Sequence, residues 1–113
     1  NVAAVIDYTK VPILPNIKDY LANGCSPGGA QRNFDSYGHN LSLMNNEVQS
    51  IICDPQTSGG LLIMVSNSAQ EEFDQVMQNA GFDLEAIGKI VSYDNNNPIV
   101  QINERNTNAN RRL

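Results

Sequence analysis

Residues 53–62, which read CDPQTSGGLL, carry the side chains of this chain best suited to chemistry. Thr57 and Ser58 offer hydroxyl donors, and the two residues that follow, Gly59 and Gly60, can take a positive φ and let a ligand or another backbone come close. Successive amides in such a turn can form an anion-binding nest. We therefore expect one of these glycines to have a positive φ or a close backbone contact. Two interpretations stay open from the residues alone, a phosphate-binding loop and a tight turn before a strand.

The neighbouring residues exclude several better-known sites. Asp54 precedes a proline, which holds it extended, and a lone carboxylate is a poor Mg²⁺ site, so we interpret Asp54 as a turn cap. The stretch does not have the spacing of a P-loop, a dinucleotide-binding glycine motif or a nucleophile elbow. Cys25 and Cys53 stand 28 positions apart with one histidine, His39, in a polar loop, whereas zinc needs about four clustered ligands. We expect no catalytic residue and no metal site in this chain. We expect His39 to be solvated and both cysteines to be reduced, buried thiols, although their spacing alone does not exclude a disulfide.

Composition bounds the function classes. The chain has 113 residues, 41% of them hydrophobic and 17% charged, which is ordinary for one soluble domain. A net charge of −5 argues against nucleic-acid binding, which needs a basic face. No apolar run approaches the roughly 20 residues of a membrane span, and no signal-peptide pattern opens the chain. We expect a cytoplasmic protein without membrane or nucleic-acid partners.

The residue patterns predict a mixed α/β fold with a partly antiparallel sheet and helices packed on it. A β-branched stretch over 2–8 predicts a strand, and Pro15 can open a helix that Gly24 ends. Residues 26–40 read as a loop with at most a short helix from Ala30. Residues 47–53 predict a short helix or strand, and residues 61–65 predict a strand. A helix is predicted over 68–80, where Ser68 and Glu71 fit a capping box and Gly81 ends it. Two further strands, 86–93 and 99–102, are predicted to form a hairpin joined by a turn at 94–98. We assign residues 1–103 to the domain and 104–113 to a flexible tail.

Two blocks of this sequence resemble the C-terminal domain of the selenophosphate synthetase (selenide, water dikinase) family. CDPQTSGGLLI is similar to that family's D-P-Q-T-S-G-G-L-L segment. VPILP, followed by LANGCSPGGAQRN, is similar to its V-P-x-L-P, helix and G-x-x-P-G-G-x-x-R-N. The blocks cover residues 11–15, 24–33 and 53–62 in the family's order and spacing, so the chain is identified as a member.

The resemblance implies the C-terminal α/β fold shared with aminoimidazole ribonucleotide synthetase, incomplete at its N-terminal side. It also implies a parent enzyme that makes selenophosphate, AMP and phosphate from selenide, ATP and water with Mg²⁺. The family's reactive cysteine or selenocysteine, its lysine and its glycine loops belong to an N-terminal domain that these residues do not include. We therefore expect a chain that is inactive alone, with no cofactor of its own, whose partners are that missing domain and a second subunit of a homodimer.

The resemblance carries only a few roles to single residues. Thr57, Ser58, Gly59 and Gly60 match the family's T-S-G-G loop, which faces the cleft between the domains. Arg32 and Asn33 match the P-G-G-x-x-R-N loop and are expected to make polar contacts near that cleft, although Arg32 can equally serve as a salt bridge or loop clamp. Two alternatives remain, a non-catalytic interaction domain and another ATP-using member of the superfamily; the D-P-Q-T-S-G-G stretch argues against the second.

Overall fold

A three-stranded mixed sheet forms the centre of the chain, of which the computed structural model describes residues 1–104. Its strands are β1 (Val2–Asp7), β2 (Gly88–Ser92) and β3 (Val100–Asn103), in the order β2-β1-β3. β1 pairs antiparallel with β2 and parallel with β3. The apolar, β-branched residues of β1 suit this position, because the central strand of a sheet packs on both sides. The predicted α/β fold with a partly antiparallel sheet is confirmed.

The predicted hairpin is wrong, although both of its strands exist. β1 lies between β2 and β3, so the two strands never pair with each other. Their connection is the expected turn: the Asp94 carboxylate accepts the backbone N–H groups of Asn96 and Asn97. The turn crosses the beginning of β1, where Tyr93 N–H donates to the Asn1 carbonyl. Sequence proximity favoured a local pairing, but the apolar first strand occupies the central position instead.

Within residues 1–104, four α-helices accompany the sheet: α1 (Ile17–Ala22), α2 (Gly28–Tyr37), α3 (Asn46–Ile52) and α4 (Gln70–Asn79). Short 3₁₀ turns lie at Tyr8–Lys10, Gly38–Asn40 and Asn67–Ala69. The two predicted helix stops are confirmed: Gly24 and Gly81 have φ of +78° and +88°. After each glycine, the next amide bonds back across the helix end, from Cys25 to Tyr20 and from Phe82 to Met77, as in a Schellman motif.

The predicted helix starts were less successful. α1 begins at Ile17 and not at Pro15, because Asn16 has a φ of +68° and interrupts the helical backbone. The predicted capping box is absent: Ser68 lies in a 3₁₀ turn, and its hydroxyl is 3.3 Å from that of Ser66. The extra 3₁₀ turn shifts the start of α4 past the serine, so the side chain that the pattern assigned to the cap is no longer beside the first helical amides.

The segment expected to be a loop, residues 26–40, is mostly the ten-residue helix α2. Pro27 stands at its N-cap position with extended backbone, and Gly28 and Gly29 form its first turn. Proline followed by two glycines favoured a hinge, but proline is well tolerated where a helix begins. Ala30 and the polar residues after it then continue the helix.

The core sits where α3 meets the sheet. Tyr8, Val48 and Ile102 form its buried centre, with seven half-buried apolar side chains around them. The interval 47–53, which sequence left as helix or strand, is therefore a helix that covers the β1 and β3 side of the sheet. This packing fixes the C-terminal end of α3, from which the segment of chemical interest departs.

The predicted strand over 61–65 is wrong. No strand forms between Leu61 and Val65, and Leu61 remains 89% exposed. A strand needs hydrogen-bonded pairing with a neighbour, and this segment pairs with neither edge strand of the β2-β1-β3 sheet. The end of this segment instead lines a groove with the apolar face of α4, formed by Phe73 and Val76.

The expected tail over 104–113 lies, except for its first residue, outside the described residues. That first residue, Glu104, contacts the N-terminus of α3: its carboxylate accepts the backbone N–H and the side-chain N–H of Asn45 at 2.8 and 3.0 Å. Between residues 1 and 104, no helix has the length and apolar character required to cross a membrane.

Candidate functional site

The two sequence blocks singled out for chemistry meet in space, at the start of α2. Pro55 packs against Gly29 so closely that a β-carbon added to that glycine would lie 2.7 Å from Pro55 Cγ. The contact joins residues 26 positions apart, and α2 and α3 pack side by side around it. The loop of residues 54–60, which we call the TSGG loop, therefore starts against the first turn of α2.

A hydrogen bond forms a second connection between the same two blocks. The Asn33 side chain donates its Nδ2–H to the Cys53 carbonyl at 2.8 Å, in a partly buried position. Cys53 itself is buried at the C-terminal end of α3, where its backbone N–H donates to Gln49. Asn33 thus holds the chain where α3 ends and the TSGG loop starts.

Arg32 places a positive charge beside this contact. Its guanidinium nitrogens lie 3.4 Å and 3.7 Å from the positions that β-carbons on Gly28 and Gly29 would occupy. The side chain is exposed, and no carboxylate among residues 1–104 pairs with it; the ion pairs found there are Lys10–Glu85 and Lys18–Glu47. The salt bridge that sequence left as an alternative for Arg32 is absent from this part of the chain.

The hydroxyls of the TSGG loop are exposed. In the described part of the chain, neither Thr57 nor Ser58 makes a side-chain hydrogen bond, so both are free to donate to a ligand. Asp54 is engaged instead, because its carboxylate accepts the Gln56 side-chain N–H at 3.2 Å. That bond agrees with the interpretation of Asp54 as a turn residue.

The expectation for Gly59 and Gly60 is wrong. Neither has a positive φ; the glycines that do are Gly24 and Gly81. A β-carbon on Gly60 would have no neighbour within 4 Å, and one on Gly59 would meet only the flexible end of Gln56. Residues 61–65 form no strand, so the tight turn into a strand that the expectation assumed does not occur.

The thiols and carboxylates do not form a metal centre among residues 1–104. Both cysteines are free thiols, but Cys25 is exposed, so the expectation of two buried thiols holds only for Cys53. Cys25 lies at the polar turn after α1, where no core covers it. Burial raises the pKa of the Cys53 thiol, which keeps it protonated and unreactive at neutral pH. His39 is exposed, as expected of a solvated loop histidine.

A shallow cavity of about 210 Å³ lies on the other side of the α2 start. Ser26, Gln49 and Ser50 contribute polar groups to it, and none of its lining residues carries a charge. It does not include the TSGG loop, Arg32 or Asn33. Arg32, Asn33 and the start of the TSGG loop at Pro55 therefore lie together at α2, outside this cavity, whereas no contact joins Thr57, Ser58, Gly59 or Gly60 to α2 in the described residues.

Sequence reasoning missed the role of Gly29 and Pro55. Both were treated as conformational residues, a hinge glycine and a rigid proline, whereas they contact each other across the two blocks. The sequence feature that could have indicated the contact is that Gly29 and Pro55 belong to two blocks that resemble the same family. Their contact itself depends on how α2 and α3 pack, which no local pattern specifies.

Curated relatives of this chain share one name. The chain is 45% identical to a selenide, water dikinase of Haemophilus influenzae over 103 residues, which are 90% of this chain and 30% of that protein. It is 48% identical to a selenide, water dikinase of Pseudomonas putida over 88 residues, 78% of this chain and 26% of that protein. It is 42% identical to a selenide, water dikinase of Yersinia pseudotuberculosis over 101 residues, which are 89% of this chain and 29% of that protein. No family model matches the chain. The chain thus spans less than a third of the length of these relatives.

Proposed function

Because this chain corresponds to one C-terminal segment of the selenide, water dikinase family, we propose that it forms part of an enzyme that makes selenophosphate, AMP and phosphate from selenide, ATP and water. Within that enzyme, the TSGG loop and Arg32 serve the phosphate end of the reaction. The rest of the enzyme supplies the reactive cysteine or selenocysteine and most of the nucleotide site. The parent enzyme is a homodimer of the cytoplasm, formed largely through the part outside this chain.

One observation supports this role above the others: the two blocks converge on one exposed face. Arg32 places a positive charge beside Gly28 and Gly29 with no carboxylate partner among residues 1–104, and Pro55 holds the start of the TSGG loop against the same turn. A cation and free hydroxyl donors are the kinds of group that stabilise the charge on a transferring phosphoryl group. A hydrogen bond to a charged group contributes about 1.5–3 kcal/mol.

The TSGG loop by itself does not fit a Mg²⁺ site. Asp54 is the only acid in the loop, and its carboxylate already accepts a hydrogen bond from the Gln56 side chain. Among residues 1–104 no group of acidic, histidine or cysteine side chains gathers into a metal site, so Asp54 has no second protein ligand beside it. We therefore assign ATP-bound Mg²⁺ to the rest of the enzyme and derive no step of the reaction through it.

The test is the double variant Thr57→Ala with Ser58→Ala in a full-length selenide, water dikinase that carries this chain. Turnover, measured as AMP formed from ATP and selenide, should fall at least tenfold, which is the order expected when donors to developing charge are removed. The melting temperature should barely move, because the two hydroxyls make no internal bond in the described chain.

The matched control removes two other exposed hydroxyls, with Ser66→Ala and Ser68→Ala. These serines lie beyond the exposed aliphatic segment, before α4, and should leave turnover unchanged. If the Thr57 and Ser58 variant retains its activity, or loses it only together with its fold, the TSGG loop has no part in the reaction.

A further inference from the structure

We propose that Gly29 and Asn33 are positioning residues: together they clamp the TSGG loop onto α2 and so set its place relative to Arg32. The inference rests on the proposed function of that loop, which it extends. Neither residue needs to touch a substrate. Gly29 acts by the space it leaves for Pro55, and Asn33 by its bond to the Cys53 carbonyl.

The first point of the clamp is steric. A β-carbon on Gly29 would lie 2.7 Å from Pro55 Cγ and 3.1 Å from Pro55 Cβ, both tighter than ordinary carbon contacts. Gly29 is a helical residue without a positive φ, so its backbone does not require glycine. Alanine has the higher helix propensity and would even favour the helix. The glycine is therefore explained by the proline ring that occupies the place of its side chain.

The second point is one helical turn further on. Residues four apart lie on the same face of a helix, so Asn33 stands beside Gly29 and reaches the chain two residues before Pro55. Its bond to the Cys53 carbonyl is partly buried, and removal of the donor leaves that carbonyl without this partner. The loop is thus attached to α2 on both sides of Asp54.

The same turn of α2 also carries Arg32. Helical side chains lean towards the N-terminus, and the Arg32 guanidinium accordingly lies next to Gly28 and Gly29. One rigid helix therefore determines both where the loop starts and where the cation stands. A displacement of about 1 Å in such an arrangement can cost on the order of 100-fold in rate, even without loss of any catalytic group.

Two variants separate positioning from folding. Asn33→Asp keeps the size of the side chain but replaces the donor by an acceptor that faces a carbonyl. Gly29→Ala adds one methyl group that improves the helix and displaces Pro55. Pro55→Ala added to Gly29→Ala removes the closest clashing atom and should recover part of what Gly29→Ala loses. Ser36→Ala, an exposed position one turn beyond Asn33 that takes no part in the contacts with Pro55 and Cys53, is the matched control.

The first readout is amide hydrogen exchange of Cys53 and Asp54, whose N–H groups donate to the Gln49 and Ile51 carbonyls at the end of α3, directly before the TSGG loop. We expect Asn33→Asp and Gly29→Ala to accelerate that exchange at least several-fold, and Ser36→Ala to leave it unchanged. The second is turnover in the full-length enzyme that carries the chain. There kcat should fall about tenfold while the melting temperature of Gly29→Ala does not decrease.

The two readouts distinguish the two ideas. Unchanged exchange in both variants overturns the clamp, whatever the activity. Accelerated exchange with normal turnover overturns the positioning role of Gly29 and Asn33, whereas the function of the TSGG loop itself is decided by the Thr57 and Ser58 variant. A loss of turnover in Gly29→Ala that Pro55→Ala partly restores supports the positioning role, because a general folding defect would not respond to the removal of a second side chain.

Discussion

Glycines at four positions of this chain have two different uses. Gly24 and Gly81 end helices with positive φ, a conformation that places any β-carbon near the following carbonyl. Gly60 has ordinary backbone and open space around it. Gly29 has ordinary helical backbone, and its importance is the packing of Pro55. Glycine is therefore required by the backbone conformation at Gly24 and Gly81 and by a neighbouring side chain at Gly29. Neither reason applies at Gly60.

Gly81→Ala and Gly60→Ala should consequently differ in stability. Alanine at Gly81 must hold a positive φ, which costs about 1 kcal/mol or more and lowers the melting temperature by several degrees in a domain of this size. Alanine at Gly60 meets nothing within 4 Å and should leave the melting temperature near that of the wild type. Thermal melts of the two single variants measure the difference. Equal losses would contradict the assignment of the strained backbone to Gly81.

At the scale of elements, the short helix α3 connects the core to the candidate site. A seven-residue helix is marginal by itself, so its stability depends on its ends and its packing. Val48 buries it against Tyr8 and Ile102, and the Asn45 side chain accepts the Val48 N–H as an N-cap at 2.9 Å. Glu104 in turn receives two hydrogen bonds from Asn45. Glu104, directly after β3, thus stabilises the N-terminus of α3, and the TSGG loop follows the C-terminus of the same helix.

Asn45→Ala should destabilise the chain by about 1 kcal/mol, because it removes the N-cap. Glu104→Ala should cost less alone, and the double variant should cost clearly less than the sum, since Glu104 acts largely through Asn45. Urea denaturation of the wild type and the three variants gives the coupling free energy. Additive losses would show that the carboxylate contributes nothing to the cap. Asp35→Ala, an exposed acid on α2 outside this contact, serves as the control.

At the scale of the whole molecule, the described residues present an open polar face beside an exposed apolar segment. The chain's 113 residues include no phosphate-binding glycine motif, its buried thiol has a raised pKa, and its Arg32 face is open. The exposed aliphatic residues from Leu61 to Met64 add an unpaired apolar segment beside α4. These features are expected of a segment that works together with the rest of an enzyme.

The chain alone should therefore form no AMP from ATP, selenide and Mg²⁺. The physical reason is that stabilising groups on one face cannot hold ATP in line with a nucleophile that they do not carry. The assay compares the pure chain with a protein-free blank, and the full-length enzyme that carries the chain serves as the positive control. AMP above the blank would contradict the assignment of the reacting residues to the rest of the enzyme.

Local features of this molecule were predictable from the sequence. The strand at Val2–Asp7, the helix ends at Gly24 and Gly81, and the existence of α4 follow from residue types and spacings within a few positions. The two motif blocks also identified the family without any coordinates, because specific residues in a fixed order are a sequence property. Backbone conformation, capping by glycine and motif spacing all depend on neighbours that are close along the chain.

Only the tertiary structure decided which distant parts meet. The position of β1 between β2 and β3 and the unpaired state of the 61–65 segment depend on which strands pair, which a local pattern does not contain. The contact of Gly29 with Pro55 and the bond of Asn33 to Cys53 require α2 and α3 to pack together. The sequence by itself determined the groups that could act on a phosphate, and the packing of α2 on α3 determined that Arg32 and the start of the TSGG loop lie on one face.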